Sequence, residues 1–260
     1  MRFSRDPNQK KIIAIIPARS GSKGLKNKNI KFLGGHPLLA WSIELCKKIK
    51  LIDYFLVSTD SKKYAKIALK YKSPIPFLRP KKISKKFSTD YALINHALSE
   101  LSRIKINPEI IVYIRPTTPL RNPKQINEAI KAFMRNKYKM HSLRSVHEMS
   151  ETAYKSYEIS NKKLLKPILK KIKFLDKVNL PRQNFKKTYV ANGIVDIFSS
   201  YFIKKNKMLY GSKVMPFITS PTTEVDNIND FKYLEYQVKN FKNFKNFIKW
   251  NINFRQILNR

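Results

Sequence analysis

The sequence predicts one α/β domain built on a mostly parallel sheet, on three observations. Ile12-Ile13-Ala14-Ile15-Ile16 is a short, unbroken, mostly β-branched apolar run, the make-up of a strand buried on both faces. Strand-like runs alternate with helical patterns through the first half of the chain, which is the signature of crossovers between parallel strands. The 260 residues, 42% hydrophobic with 16 Phe and 13 Tyr, suffice for a packed core and exclude a disordered chain.

The elements follow in order. Pro17 ends the first ladder because it has no N–H to donate. The next stretch, to residue 31, carries Arg19, Lys23, Lys26, Lys28 and Lys31, with Ser20, Gly21, Ser22 and Gly24, and no acid. Small residues let the backbone turn tightly and present N–H groups, while the cations supply charge, so the expected guest is a polyanion, most simply a nucleoside triphosphate. The stretch is not a P-loop, since Lys23 sits between Ser22 and Gly24, and it is not a G-x-G-x-x-G fingerprint. A solvated basic turn is the alternative.

Gly34-Gly35 marks a turn, and Pro37 suits the start of a helix over 37–49 whose core face is Leu38, Trp41, Leu45 and Ile49. A strand over 54–58 ends in Ser58-Thr59-Asp60, expected to cap a helix over 61–71. Pro74, Pro76 and Pro80 enforce an extended link containing Arg79, and Ser88-Thr89-Asp90 caps a helix to about 103. A strand over 109–114 runs into Arg115-Pro116-Thr117-Thr118-Pro119-Leu120-Arg121, after which Asn122 and Pro123 open a helix to about 136. From residue 141 the alternation breaks into short strands (141–146, 153–159, 164–168). Longer strands over 189–198 and 214–219 and a helix to about 240 follow.

The formal charge of +37 points to nucleic acid or an anionic surface, but the basic residues are dispersed and mostly Lys, alongside abundant Asn and Ile, which also fits a compositional bias. No apolar run approaches the ~20 residues needed to span a bilayer. The start, MRFSRDPNQKK, lacks the apolar core of a signal peptide, so a cytoplasmic location is expected. Cys46 has no partner for an internal disulfide and reads as a packing residue, and the four histidines show no metal spacing.

Pro17-Ala18-Arg19-Ser20-Gly21-Ser22-Lys23-Gly24 with Lys28-Asn29 resembles the signature loop of the acylneuraminate cytidylyltransferases, relatives of the CMP-Kdo synthetases. Arg115 to Arg121 and Asn192-Gly193 resemble further motifs of that family, and the likeness covers roughly residues 11–238. It implies a three-layer α/β/α nucleotidyltransferase fold over 11–240 with a dimerisation insert at about 141–180, flanked by an arm at 1–10 and a basic extension at 241–260. It also implies a homodimer and transfer of CMP from CTP to a 2-keto-3-deoxy sugar acid, for cell-surface polysaccharide synthesis. By resemblance Arg19, Lys23 and Lys28 hold the triphosphate. Ser22, Asn29, Arg79 and Ser88 place the nucleotide, and Arg115, Lys155, Arg182 and Asn192 place the sugar. Asp226, with Glu224 or Asp230, would hold Mg²⁺.

The chain departs from the family at two positions, with Arg115 for a glutamine and Asp196 for a tyrosine. Unless these two pair with each other, the sugar pocket should prefer an eight- or nine-carbon 2-keto acid other than N-acetylneuraminate. The family carries a small residue or serine where Asp90 stands, which leaves the role of Asp90 open. The competing readings are a nucleotidyltransferase for another sugar or nucleotide and a basic nucleic-acid-binding protein. Specific nucleic-acid binding is not expected from so dispersed a charge.

Overall fold

The computed structural model describes residues 11–240 apart from positions 23, 170 and 173, so the arm at 1–10 and the extension at 241–260 lie outside the described residues. In chain order the elements are β1 (Ile12–Pro17), β2 (Phe32–Leu33), β3 (His36–Pro37), α1 (Leu38–Lys48), β4 (Tyr54–Ser58), α2 (Lys62–Lys70), α3 (Asp90–Arg103), β5 (Ile110–Tyr113) and α4 (Pro123–Asn136). Then come β6 (Ser142–Glu148), β7 (Tyr157–Ile159), β8 (Leu165–Pro167), β9 (Tyr189–Ser199), α5 (Ser200–Asn206), β10 (Val214–Ile218) and α6 (Ile228–Asn240).

β1 shows why the domain has three layers. Successive strand residues point to opposite faces. Ile12, Ala14 and Ile16 join one core cluster with residues of α1, α2 and α4, while Ile13 and Ile15 join a second with residues of α3 and α5. Both faces are covered, so the run is apolar throughout rather than alternating. Each fully buried isoleucine contributes roughly 1.5–3 kcal/mol. A third, smaller cluster packs Phe231 and Leu234 of α6 and Val225 against Leu33, Leu38 and Trp41, which fixes the acidic segment 224–230 beside the domain.

The main sheet runs β10-β6-β9-β5-β1-β4. β1 is parallel to β4 and β5, and β10 is parallel to β6, whereas β9 is antiparallel to both its neighbours. Among its described strands, β9 therefore is the reversed one. Its register against β6 jumps from Arg144↔Asp196 to Val146↔Ala191, so residues 192–195 stand opposite Ser145 alone. This wide irregularity lifts Asn192-Gly193 out of the ladder toward the strand ends.

Three local expectations change. Pro17 keeps its register with Ser58, and the Ala18 N–H still donates to the Ser58 carbonyl at 2.9 Å, so the ladder runs on past the proline. Ser61, not Ser58-Thr59-Asp60, caps α2, its hydroxyl accepting from the Tyr64 N–H. The expected strand at 153–159 opens as a single 3₁₀ turn, Ala153–Lys155, before β7. The short helix α5, absent from the sequence reading, follows β9 directly and is capped by the Ser199 hydroxyl.

The insert after β6 is a β7–β8 hairpin with an irregular tail. It exposes Ile159, Leu164, Leu165 and Phe174, while Thr188 pins its base, its backbone carbonyl accepting from the Met149 N–H and its hydroxyl from the Ala153 N–H.

Candidate active site

A cleft of about 570 Å³ opens at the C-terminal ends of β1, β4 and β5. That is where open α/β sheets bind their ligands, because the turns there are free to vary while the strands hold them. Of the residues singled out from sequence, Arg19, Ser22, Lys28, Asn29, Arg79, Ser88, Arg115, Glu224 and Asp226 all line it. Lys23 lies outside the described residues. Lys155, Arg182, Asn192 and Asp230 do not line this cleft.

The loop after β1 is held by groups distant in sequence. Asp60 accepts from the Ser20 N–H at 2.9 Å and its hydroxyl at 2.8 Å, which corrects its expected role as a helix cap: its carboxylate is committed to the loop. The Arg19 guanidinium donates to the Lys85 carbonyl at 2.6 Å, tying the loop to the opposite rim. Asn29, buried, donates to the Arg19 carbonyl at 3.0 Å. Lys28 donates to the Val225 carbonyl at 2.7 Å and to Asp226 at 3.1 Å. A Cβ on Gly24 would collide with the Asp226 carbonyl oxygen, so only glycine lets the loop close on the acidic segment.

The three carboxylates expected at a metal separate into two roles. Glu224, which accepts from the Thr117 hydroxyl at 2.9 Å, and Asp226, largely exposed, both face the cleft. Asp230 instead accepts from the Asp226 and Asn227 N–H groups at 2.8 and 2.9 Å, opening α6. Those two backbone donors hold its carboxyl below the usual range. Among the described residues no group of three His, Cys, Asp or Glu side chains converges on one point. A pair of hard oxygen donors beside a polyanion site still fits Mg²⁺, which is commonly bound by one or two carboxylates together with substrate phosphates.

The floor of the cleft carries a charge network. Arg115 donates to Asp196 at 2.5 Å and to Asp90 at 2.8 Å, and its guanidinium lies 4.7 Å from the centre of the Tyr113 ring. The Tyr113 hydroxyl donates to the other Asp90 oxygen at 2.7 Å, and Arg144 stands 3.6 Å from Asp196. Burial by itself would lower the Arg115 pKa, but Asp196 and Asp90 more than reverse that, so it is charged at every working pH. The tyrosine hydroxyl is pushed far up, chiefly by burial and then by the charge of Asp90. Arg115 and Asp196 therefore pair, which corrects the expectation that both turn free polar groups toward a sugar. The two-residue argument against N-acetylneuraminate loses its footing.

Arg79 is buried, with one guanidinium nitrogen donating to the Ser58 carbonyl at 3.0 Å, and it lines the cleft. Arg121, also buried, braces the turn after β5 by donating to the Ile194, Arg115 and Gly193 carbonyls, and burial pulls its pKa down to about 9. Asn192 donates to the Thr219 hydroxyl at 2.6 Å and is buried, while Gly193 (φ +67°) brings the backbone beside Thr118 and Glu224. Asn192 thus positions the bulge rather than facing the cleft. Arg182 binds Glu148 at 2.6 Å on the insert, and Lys155 ends a 3₁₀ turn there.

The sequence reading missed Lys86, Tyr113 and Thr117, all in the cleft wall. Lys86 is one of many lysines with no local feature to mark it, and Tyr113 reads from sequence only as the end of a strand. Thr117 lay inside a motif already singled out, whose polar members could have been tried one by one.

Residues 13–253 match the family described as cytidylyltransferase. The N-acylneuraminate cytidylyltransferase of Escherichia coli O18:K1:H7 is 42% identical over 123 residues, 47% of this chain and 28% of that protein. The post-translational flagellin modification protein B of Campylobacter coli is 29% identical over 88% of this chain and 95% of that protein. The CMP-N,N'-diacetyllegionaminic acid synthase of Legionella pneumophila is 30% identical over 84% of this chain and 91% of that protein. Among solved structures, a CMP:2-keto-3-deoxy-manno-octonic acid synthetase complexed with CTP covers 88% of this chain and 98% of its own, with TM-score 0.67 and 14% identity, a likeness of fold.

Proposed function

The chain belongs to the cytidylyltransferase family and is a nucleotidyltransferase, and on that premise we propose that it transfers CMP from CTP to the anomeric hydroxyl of a sialic-acid-like 2-keto-3-deoxy sugar acid, releasing pyrophosphate. The observation that carries this reading is the juxtaposition of Arg19, Lys28 and Asn29 with Glu224 and Asp226 in one cleft at the ends of parallel strands. The names of the relatives, which act on N-acylneuraminate and diacetyllegionaminic acid, support the acceptor class.

In this reading the hydroxyl oxygen attacks the α-phosphorus in line, the bond to the β-phosphate bridging oxygen breaks, and the hydroxyl proton is released. No covalent enzyme intermediate is required, since positioning and charge neutralisation do most of the work in such transfers. Arg19 and Lys28 hold the triphosphate and take up charge on the departing pyrophosphate. Asn29, through its bond to the Arg19 carbonyl, keeps the loop in shape. Ser22, Arg79 and Ser88 flank the nucleotide. Asp226 and Glu224 would hold Mg²⁺, which supplies Lewis-acid charge neutralisation at phosphate oxygens.

The insert is read as a homodimer contact, supported by its exposed Ile159, Leu164, Leu165 and Phe174. Lys155 and Arg182, carried on that insert, are read as belonging to the sugar side. No described helix is long and apolar enough to cross a membrane, and a cytoplasmic enzyme without a specific nucleic-acid partner is the accompanying reading.

The test is pyrophosphate release with CTP, UTP, ATP and GTP across a panel of eight- and nine-carbon 2-keto sugar acids. Turnover with CTP and at least one such acid is expected. Turnover with none, alongside tight, salt-resistant, sequence-selective DNA binding, overturns it in favour of a nucleic-acid protein.

A further inference from the structure

Building on the reading of the cleft as a CTP site, we propose that Asp90 is the acceptor for the exocyclic amine of cytosine and so selects CTP over UTP. Arg19 and Lys28 belong to the loop after β1, where with Lys86 they offer cations to a triphosphate. Asp90 opens α3 and is bonded to Tyr113 and Arg115 at the end of β5, in a lining that also holds Ile83 and Leu93. With the triphosphate held by the loop, the flat, uncharged base is left for Tyr113, Leu93 and Asp90.

Asp90 is held ready for such a contact. One oxygen takes the Tyr113 hydroxyl and the other takes Arg115, which leaves each oxygen further acceptor capacity, and the side chain is still 44% exposed. Arg115 is shared with the buried Asp196, so it cannot swing out to offer its own donors to the base. The floor thus presents a fixed acceptor. Cytosine meets it with an amine donor, whereas uracil in the same pose presents a carbonyl oxygen to a carboxylate. Arg79, lining the same cleft, is a donor suited to the ring carbonyl that both bases share, so it adds affinity without telling them apart.

The experiment measures calorimetric binding of three nucleotides to the full-length protein: CTP, UTP and the triphosphate of 2-pyrimidinone riboside, which is cytidine without its amine. The wild type is expected to bind CTP about 10- to 100-fold more tightly than either of the others, the range for one charge-assisted hydrogen bond. Asp90→Asn should bring the three within about threefold of one another, because an amide can turn its NH₂ toward a carbonyl oxygen. Equal wild-type binding of CTP and the amine-free analogue overturns the proposal, and that comparison needs no variant to fold. A full CTP preference retained in Asp90→Asn also overturns it, leaving Asp90 only as a counter-charge for Arg115. A wild type that binds CTP and releases pyrophosphate while failing either comparison sinks this inference alone. A wild type that neither binds CTP nor turns it over sinks the proposed function as well.

Discussion

At the mouth of the cleft Lys28 pairs with Asp226 at 3.1 Å and the carboxylate side chain is 77% exposed; at the floor Arg115 pairs with Asp196 at 2.5 Å and the carboxylate side chain is 3% exposed. The same two charge types meet in both places, yet the surroundings give them opposite work. A carboxylate in water loses little when its partner leaves, so Asp226 can give up Lys28 to a phosphate. A charge out of water must keep its partner or carry an uncompensated desolvation cost, so Arg115 is bound on two sides and cannot be traded. The mouth is built for exchange and the floor for shape.

The sharpest way to break this contrast is Arg115→Ala. It leaves Asp196 buried among fewer donors, and stability should fall by about 3–5 kcal/mol, a drop in Tm on the order of 10 °C. Arg115→Met combined with Asp196→Leu should recover much of that loss, since no lone buried charge then remains. A Tm for Arg115→Ala within a degree or two of wild type would show the floor to be as exchangeable as the mouth.

Next in size, Asp226→Asn should leave Tm nearly unchanged but lower turnover of CTP and sugar acid about a hundredfold or more, because the substitution removes a carboxylate charge from the proposed Mg²⁺ pair. Chelator titration of the wild type checks the same point: activity that survives full chelation would remove Glu224 and Asp226 from any metal role. Lys28→Ala should cost about ten- to a hundredfold in kcat/KM, the range for one charge-assisted phosphate contact, with the fold intact by circular dichroism. Unchanged kinetics in that variant would reduce the loop to a solvated turn.

The smallest effect is the response to salt. Raising ionic strength from about 0.05 to 0.5 M shortens the screening length severalfold, so CTP binding at the mouth should weaken by a fewfold to tenfold while thermal stability, which leans on the floor, barely moves. Parallel losses of binding and stability would mean that the two charge sets are not separated as described.

Local signals made most of the fold legible. The apolar runs at β1, β4 and β5, the helical spacing of Leu38, Trp41 and Leu45, and the Asn122-Pro123 start of α4 each act within a few residues, so they can be read from sequence. The first loop and the segment after β5 were legible as site components for the same reason. The reversed direction of β9 was not, since a strand of the same make-up runs either way and the sense is set by where the chain re-enters the sheet after the insert. Nor was the division among the acids, because Asp226 and Asp230 stand four residues apart in one motif and only the start of α6 decides which carboxylate is spent on backbone N–H groups.

By itself the sequence determined the layers, the strand that feeds the phosphate loop and the residue types available for chemistry, because periodicity, turn residues and charge are properties of short stretches. The tertiary structure alone decided which charges meet. It brings Asp226 to Lys28 across 198 positions and Asp196 to Arg115 across 81, and it buries one carboxylate while leaving the other in water. The strength of a charge pair depends on the dielectric around it and the partners packed against it, and neither exists until the chain has closed over those distances.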